Sequence, residues 1–305
     1  MSGFTRCWLF AASITPLLAA CAAVPQADAP VAAAPPSIRT VPERRITQEP
    51  VQARFALEGA PTQGGMLVGT APSGTATLTL NGQSVPVEAD GRFLIAFDRD
   101  APPVATLVAQ LKDGRSVPLA LTVAPRAWRI ERINAPLRPT RDTEAFLALR
   151  KPELERIAAA RLAKTDSEGW RQRFAWPRTG RISGLFGAQR IYQGQAGAYH
   201  GGVDIAAATG DAVLAPADGV VVLAADHPFT LEGNLLMIDH GAGLNSAFLH
   251  LSRIDVREGQ HVVKGQQIGA VGATGRATGP HLHWAMKWHD ARIDPLLVAG
   301  PMPGS

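Results

Sequence analysis

Cysteine is nearly absent: the 305 residues contain two, Cys7 and Cys21. That scarcity excludes a disulfide-stapled framework and a structural metal site closed by cysteine ligands. Runs of lysine or arginine are missing too. Charged residues make up 18% of the chain and the formal net charge is +4. Such a balance gives no footprint for nucleic acid, and no nucleic-acid partner is expected. It is compatible with an anionic polymer such as a cell wall, without requiring one. No apolar run reaches the length of a comfortable membrane span; the amino-terminal one, Cys7 to Leu18, is interrupted by Thr15 and Pro16. An HExxH pair is also lacking, so no glutamate base of that motif is present. What the chain does have is apolar content, 46% of 305 residues, enough for two modest domains with real cores.

The amino terminus reads as an address. Arg6, a short apolar run and small residues have the layout of a secretory signal over residues 1–20. Its end, Leu18-Ala19-Ala20-Cys21, resembles a bacterial lipobox. That resemblance implies cleavage before Cys21 and lipidation of Cys21. The mature chain would then have no second cysteine and no internal disulfide. Membrane attachment through Cys21 is the expectation, and Ala22 after it favours the outer membrane, facing the periplasm. Residues 21–46 are rich in Ala and Pro and form a semi-stiff tether.

From 47 to 126 the chain reads as short strands. Thr75 to Leu80 alternates, and Asn81-Gly82 after it is a hairpin signal; Asp90-Gly91 and Asp113-Gly114 repeat that chemistry. Phe93, Ile95 and Phe97 form another alternating set. The pattern predicts a small antiparallel β-sandwich, and NGQSVPVEADGRF resembles bacterial immunoglobulin-like modules. Every histidine lies beyond it, which marks it as a spacer or docking module. Residues 127–178 read as a helical connector. Asp142-Thr143 caps a short helix and Pro152 opens a second, with Leu154, Ile157, Ala158 and Arg161 at helical spacing. From 179 to 299 glycine becomes frequent between β-branched runs at 220–222, 235–238, 262–263 and 268–271, predicting a second, antiparallel β-sandwich-like domain. The whole chain is therefore expected to be mainly β.

Chemistry concentrates in this last part. His281-Leu282-His283 places two imidazoles on one face of an extended strand, because alternate side chains share a face. His200 and Asp204 stand four apart with Gly202 between them. One imidazole of the 281/283 pair, added to His200 and Asp204, makes two nitrogen ligands and one carboxylate. Three such ligands with an open position are a catalytic rather than a structural zinc set. The spacing leaves open which imidazole joins. His250 stands alone, and His227, His240, His261 and His289 read as structural or solvated.

Six segments occur in order: SGLFGAQR at 183–190, HGGVD at 200–204, APADGVV at 215–221, GNLLMIDHG at 233–241, FLHLS at 248–252 and TGPHLHW at 278–284. Together they resemble the catalytic domain of LytM/lysostaphin-type zinc metallopeptidases, the M23 family of peptidoglycan hydrolases. The resemblance spans about residues 180–296. It implies one Zn2+ per chain held by His200, Asp204 and His283, with His250 and His281 as the catalytic pair. It implies an endopeptidase that hydrolyses the peptide cross-links of peptidoglycan by zinc-activated water. The same fold also serves as a non-catalytic or gated regulator of cell-wall amidases, but those members typically lack one or more of the five residues, and all five are here. A division or cell-wall protein is the further partner class that the family brings.

Overall fold

The computed structural model describes residues 54–137 and 143–303. The signal peptide, Cys21, the tether and Asp142 lie outside the described residues. The described residues all fall within one compact unit.

The amino-terminal part is built from β1 (Ala56–Glu58), β2 (Met66–Thr70), β3 (Thr75–Leu80), β4 (Gln83–Val85), β5 (Arg92–Ala96), β6 (Val104–Leu111) and β7 (Ser116–Thr122). They form two antiparallel sheets, in the orders β1-β2-β5 and β4-β3-β6-β7. Asn81 and Gly82 both adopt positive φ, 51° and 83°, and close the β3–β4 hairpin as the sequence predicts. β5 departs from simple alternation. Phe93, Leu94, Ile95 and Ala96 are all buried, so this strand is covered on both faces.

β8 (Ile130–Ile133) follows, a strand inside the segment expected to be helical. Then comes α1 (Glu144–Leu162). Its amino end is capped by Thr143, whose side chain accepts from the Phe146 N–H. Two short helices were expected here, but the structure has one of 19 residues that runs through Pro152. An interior proline costs about 3 kcal/mol. Burial of Ile157 and Ala160, with the bonds of Thr230 and Arg150 to Glu153, acts against that cost. The expected stripe is also rotated: Leu154 is 49% exposed, and positions 153, 157 and 160 face the protein instead.

The remaining strands are β9 (Ile182–Gly184), β10 (Gln189–Tyr192), β11 (Gln195–Ala196), β12 (Val203–Ala206), β13 (Ala212–Leu214), β14 (Gly219–Ala224), β15 (Asn234–Asp239), β16 (Leu244–Leu251), β17 (Arg253–Ile254), β18 (His261–Val262), β19 (Gln267–Ala270), β20 (His281–Trp288) and β21 (Ala291–Ile293), with α2 (Pro295–Ala299) last. An eight-stranded sheet runs β18-β14-β15-β16-β20-β12-β9, with β21 also on β20; β13-β19-β17 form a smaller sheet. β8 pairs in parallel with β10.

β20 shows how the large sheet sorts its residues. Leu282, Trp284, Met286 and Trp288 are buried in the main core. His281, His283, Ala285 and Lys287 alternate with them and stand on the other, open face. α1 covers the far side of that open face. Ile157 and Ala160 pack there on Leu223, Phe229, Leu235 and Met237, with Ala247 and Leu249 beside them.

Candidate metal centre

Cross-strand register assembles the site. In the antiparallel β12–β20 pair, Asp204 stands directly opposite His283. His200 lies just before β12, and its ring reaches the same point. His200 Nε2 is 3.1 Å from Asp204 Oδ1 and 3.1 Å from His283 Nδ1, and His283 Nδ1 is 2.8 Å from Asp204 Oδ1. The three donor atoms all lie within 4.8 Å of one another, which suits a single metal ion. His200 Nδ1 is 3.0 Å from the Leu185 carbonyl oxygen. That bond places the proton on Nδ1 and turns the Nε2 lone pair toward the group. Two imidazoles and one carboxylate match the ligand chemistry of a catalytic zinc site.

Electrostatics follow from this crowding. Burial alone would raise the Asp204 pKa, but hydrogen bonds from His200 and His283 hold the carboxyl far below its usual range. Burial lowers His283, outweighing the pull of Asp204. In His200, Asp204 outweighs burial and the net shift is upward.

The other two expected residues flank this group. His281 Nδ1 is 2.8 Å from the Gly279 carbonyl oxygen, and its Nε2 is 3.8 Å from Asp204 Oδ1. His250 Nδ1 is 2.9 Å from the Thr274 carbonyl oxygen. The His250 ring centroid lies 4.9 Å from that of His281 and 6.2 Å from that of His283. In both rings the carbonyl partner assigns the proton to Nδ1 and frees Nε2. His250 has φ 63°, rare for a residue with a Cβ, and lies near the end of β16 where its register with β15 shifts. Its backbone N–H donates to Glu232 O at 2.8 Å, and that loop is in turn tied to α1: Arg150 binds Glu232 through two bonds of 2.6 and 2.8 Å.

Two glycines carry constraints that spacing alone did not show. A Cβ on Gly184 would sit 2.2 Å from Asp204 Oδ2, and one on Gly202 would sit 2.8 Å from His283 Nε2. Both keep space for Asp204 and His283. The remaining histidines lie elsewhere. His240 is fully buried, bonded to Asp218 O at 2.7 Å and Ser246 Oγ at 2.8 Å. His227 sits beside Asp226, His261 lies on the surface near Asp166, and His289 is in a turn at positive φ.

Residues 198–295 match peptidase family M23. The chain is 38% identical over 135 residues to the peptidoglycan DD-endopeptidase ShyA of Vibrio cholerae serotype O1, covering 44% of this chain and 31% of that protein. It is 35% identical over 151 residues to the cell division protein DipM of Caulobacter vibrioides, covering 48% of this chain and 24% of that one. It is thus similar to only about a quarter to a third of the length of these relatives. Among solved structures, one described as a peptidase M23 from Pseudomonas aeruginosa superposes with a TM-score of 0.62 at 28% identity, covering 79% of this chain and 96% of that one. The fold and site define a mainly β domain with a His-Asp-His group suited to one metal ion. Within that domain, residues 198–295 are similar to peptidase family M23.

Proposed function

We propose that the protein is a zinc-dependent endopeptidase that hydrolyses peptide cross-links of peptidoglycan. The observation that carries this reading is the convergence of His200 Nε2, Asp204 Oδ1 and His283 Nδ1, with His250 and His281 at its edge. A zinc ion held by the first three would supply Lewis-acid charge, which acidifies water and polarises a carbonyl. The work of the chain's own residues follows from their tautomers. With Nδ1–H of His250 and His281 fixed on carbonyl oxygens, each Nε2 is free to take a proton. One of the pair takes the proton from the attacking water; a protonated Nε2 then stabilises negative charge on the substrate carbonyl oxygen or returns the proton to the leaving amine. Asp204 stays ionised throughout, being held by two imidazoles. Supporting the substrate assignment are the relatives named as peptidoglycan DD-endopeptidases. Anchoring through a lipid on Cys21, facing the periplasm, is part of the same proposal and rests on the Leu18–Cys21 motif.

The test is a digest. The mature chain without its anchor is incubated with sacculi and zinc, and the muropeptides are separated. Loss of cross-linked dimers is expected, and it should vanish with chelator or in His283→Ala. Unchanged dimers with zinc demonstrably bound would overturn the peptidase reading.

A further inference from the structure

The open face of the large sheet continues past the metal-binding group. Beyond His283, β20 sets Ala285 and then Lys287 on that face. β16 sets Ala247 beside Ala285 and Asn245 beside Lys287. Two small facing residues leave a low floor that leads away from His283. α1 stands on one side of this floor, while Arg292 and Tyr199 stand on the other.

The far end of the floor is cationic. Lys287 lies directly opposite Arg292 in the β20–β21 pair. Directly opposed residues of an antiparallel pair share a face with Cβ atoms ~5 Å apart, and like charges there are unfavourable. A third cation, Arg161, comes from the last turn of α1. Arg161 is open to solvent yet crowded by protein on one side; that crowding first, then the charge of Arg292, lowers its pKa. Lys287 is lowered for the same reasons, burial first and then the charge of Arg161.

Little in the fold compensates these charges. Asp290, 3.3 Å from Lys287, is 99% exposed. Asp98 accepts from the Tyr199 hydroxyl and from the backbone N–H of Arg292, so it is engaged elsewhere. The Arg292 guanidinium lies over the Tyr199 ring, 4.9 Å from its centroid. The charges of Glu232 and Asp290 pull Arg161 the other way but do not outweigh burial and Arg292, and Glu232 is itself bound to Arg150. Arg292 also reaches toward the metal group: a Cβ on Gly201, the residue after His200, would sit 3.4 Å from its Cδ. A cluster of like charges does not stabilise the fold. It does prepare a site for an anion, because guanidinium and ammonium groups bind carboxylate with strong charge-assisted hydrogen bonds.

We propose that Arg161, Lys287 and Arg292, at the far end of this floor, form a subsite for a free carboxylate on the substrate peptide. The proposal rests on the peptidase reading above. Lys287 is four residues from His283, roughly 13 Å along a strand rising ~3.3 Å per residue. Arg292 reaches part of the way back. The carboxylate therefore belongs about two to four residues from the scissile bond of an extended peptide.

The test uses the zinc-loaded mature chain and pairs of synthetic peptides that share one scissile bond. Each pair differs in a single group, a free carboxylate or its primary amide, placed two, three or four residues from that bond. At one of these positions kcat/KM is expected to be about tenfold higher for the acid, a difference of ~1.4 kcal/mol. In Arg292→Gln and Lys287→Gln the preference should shrink toward one. No preference at any position, or variants that slow acid and amide equally, would overturn the subsite. If no peptide is cut and His283→Ala behaves identically, the peptidase reading has failed. Calorimetric binding of the same pairs then decides the subsite by itself. Tighter binding of the acid, lost in both variants, supports it; equal binding of acid and amide overturns it.

Discussion

Arg150→Met tests whether α1 is held to the sheet by buried charge. The guanidinium lies 2.9 Å from Glu153 Oε2 and 2.6 Å from Glu232 Oε2, and the three side chains are 12%, 6% and 17% exposed. Glu153 also accepts from the Thr230 N–H and hydroxyl, both at 2.6 Å. Methionine keeps the aliphatic stem but leaves two carboxylates facing each other with no cation between them. Breaking a buried pair costs about 3–5 kcal/mol, because an uncompensated charge stays behind. Thr230 still serves Glu153, and Glu232 can turn toward solvent, so about 3 kcal/mol is expected. For a unit of this size, each kcal/mol shifts Tm by about 2–4 °C, giving a fall of roughly 6–12 °C. Denaturant melts with an unchanged slope would confirm that stability, not unfolded-state compactness, has changed. Arg156→Met on the same helix is the control. Arg156 pairs with Asp226 and Glu258, which are 71% and 52% exposed, and surface pairs contribute little. The reasoning is refuted if Arg150→Met costs no more than Arg156→Met.

Two further predictions concern the fold beneath the site. His240 is held neutral by burial, its pKa pushed down to about 4. An unfolded histidine titrates near ~6.5, so between those values the unfolded chain binds the proton and the folded chain does not. Stability should therefore fall as pH drops from about 6.5 toward 4, by roughly 3 kcal/mol from this residue. Urea midpoints across that range should show the fall, and His240→Gln should flatten it; parallel curves would refute the assignment. Gly184→Ala would put a Cβ against Asp204 Oδ2 and should weaken zinc binding at least tenfold in a competition titration. Gly279→Ala, which meets nothing within 4 Å, should not.

The parts of this site that could be read from the sequence are those set by local period. The strand carrying His281 and His283 follows from alternation, and so does the shared face of the two rings. The family segments gave the ligand set by resemblance. Spacing alone did not say which imidazole meets Asp204, because the register of Asp204 on His283 joins residues 79 apart. Helix α1 was misread for a related reason. Pro152 marks a helix start by local rules, yet burial of Ile157 and Ala160 against distant strands carries the helix through it. The cationic cluster was invisible for the strongest form of this cause. Arg161, Lys287 and Arg292 come from α1 and the β20–β21 hairpin, and no local pattern links them.

The amino-terminal sheets matter to the groove through the same kind of distant contact. Asp98, just after β5, binds the Tyr199 hydroxyl at 3.0 Å and the Arg292 N–H at 2.9 Å. Arg99, buried beside it, donates to the Gly187 carbonyl at 3.0 Å and lies over the rings of Trp128 and Tyr199. Arg126 donates at 2.8 Å to Asp294, the residue that caps α2 and is 1% exposed. Each contact ends next to a functional element: Tyr199 precedes His200, and Arg292 and Asp294 bracket the end of β21. The segment that reads from sequence as a spacer or docking module thus fixes one wall of the groove. Residues 198–295 contain His200, Asp204 and His283, but the wall beside them is held by side chains 101 to 194 residues earlier in the chain. Cutting the chain at the family boundary would leave the Tyr199 hydroxyl, the Arg292 N–H and buried Asp294 without these partners, and unpaired buried polar groups are costly. The geometry of the metal group and that of the cationic end of the floor therefore depend on the amino-terminal sheets as well as on the peptidase fold.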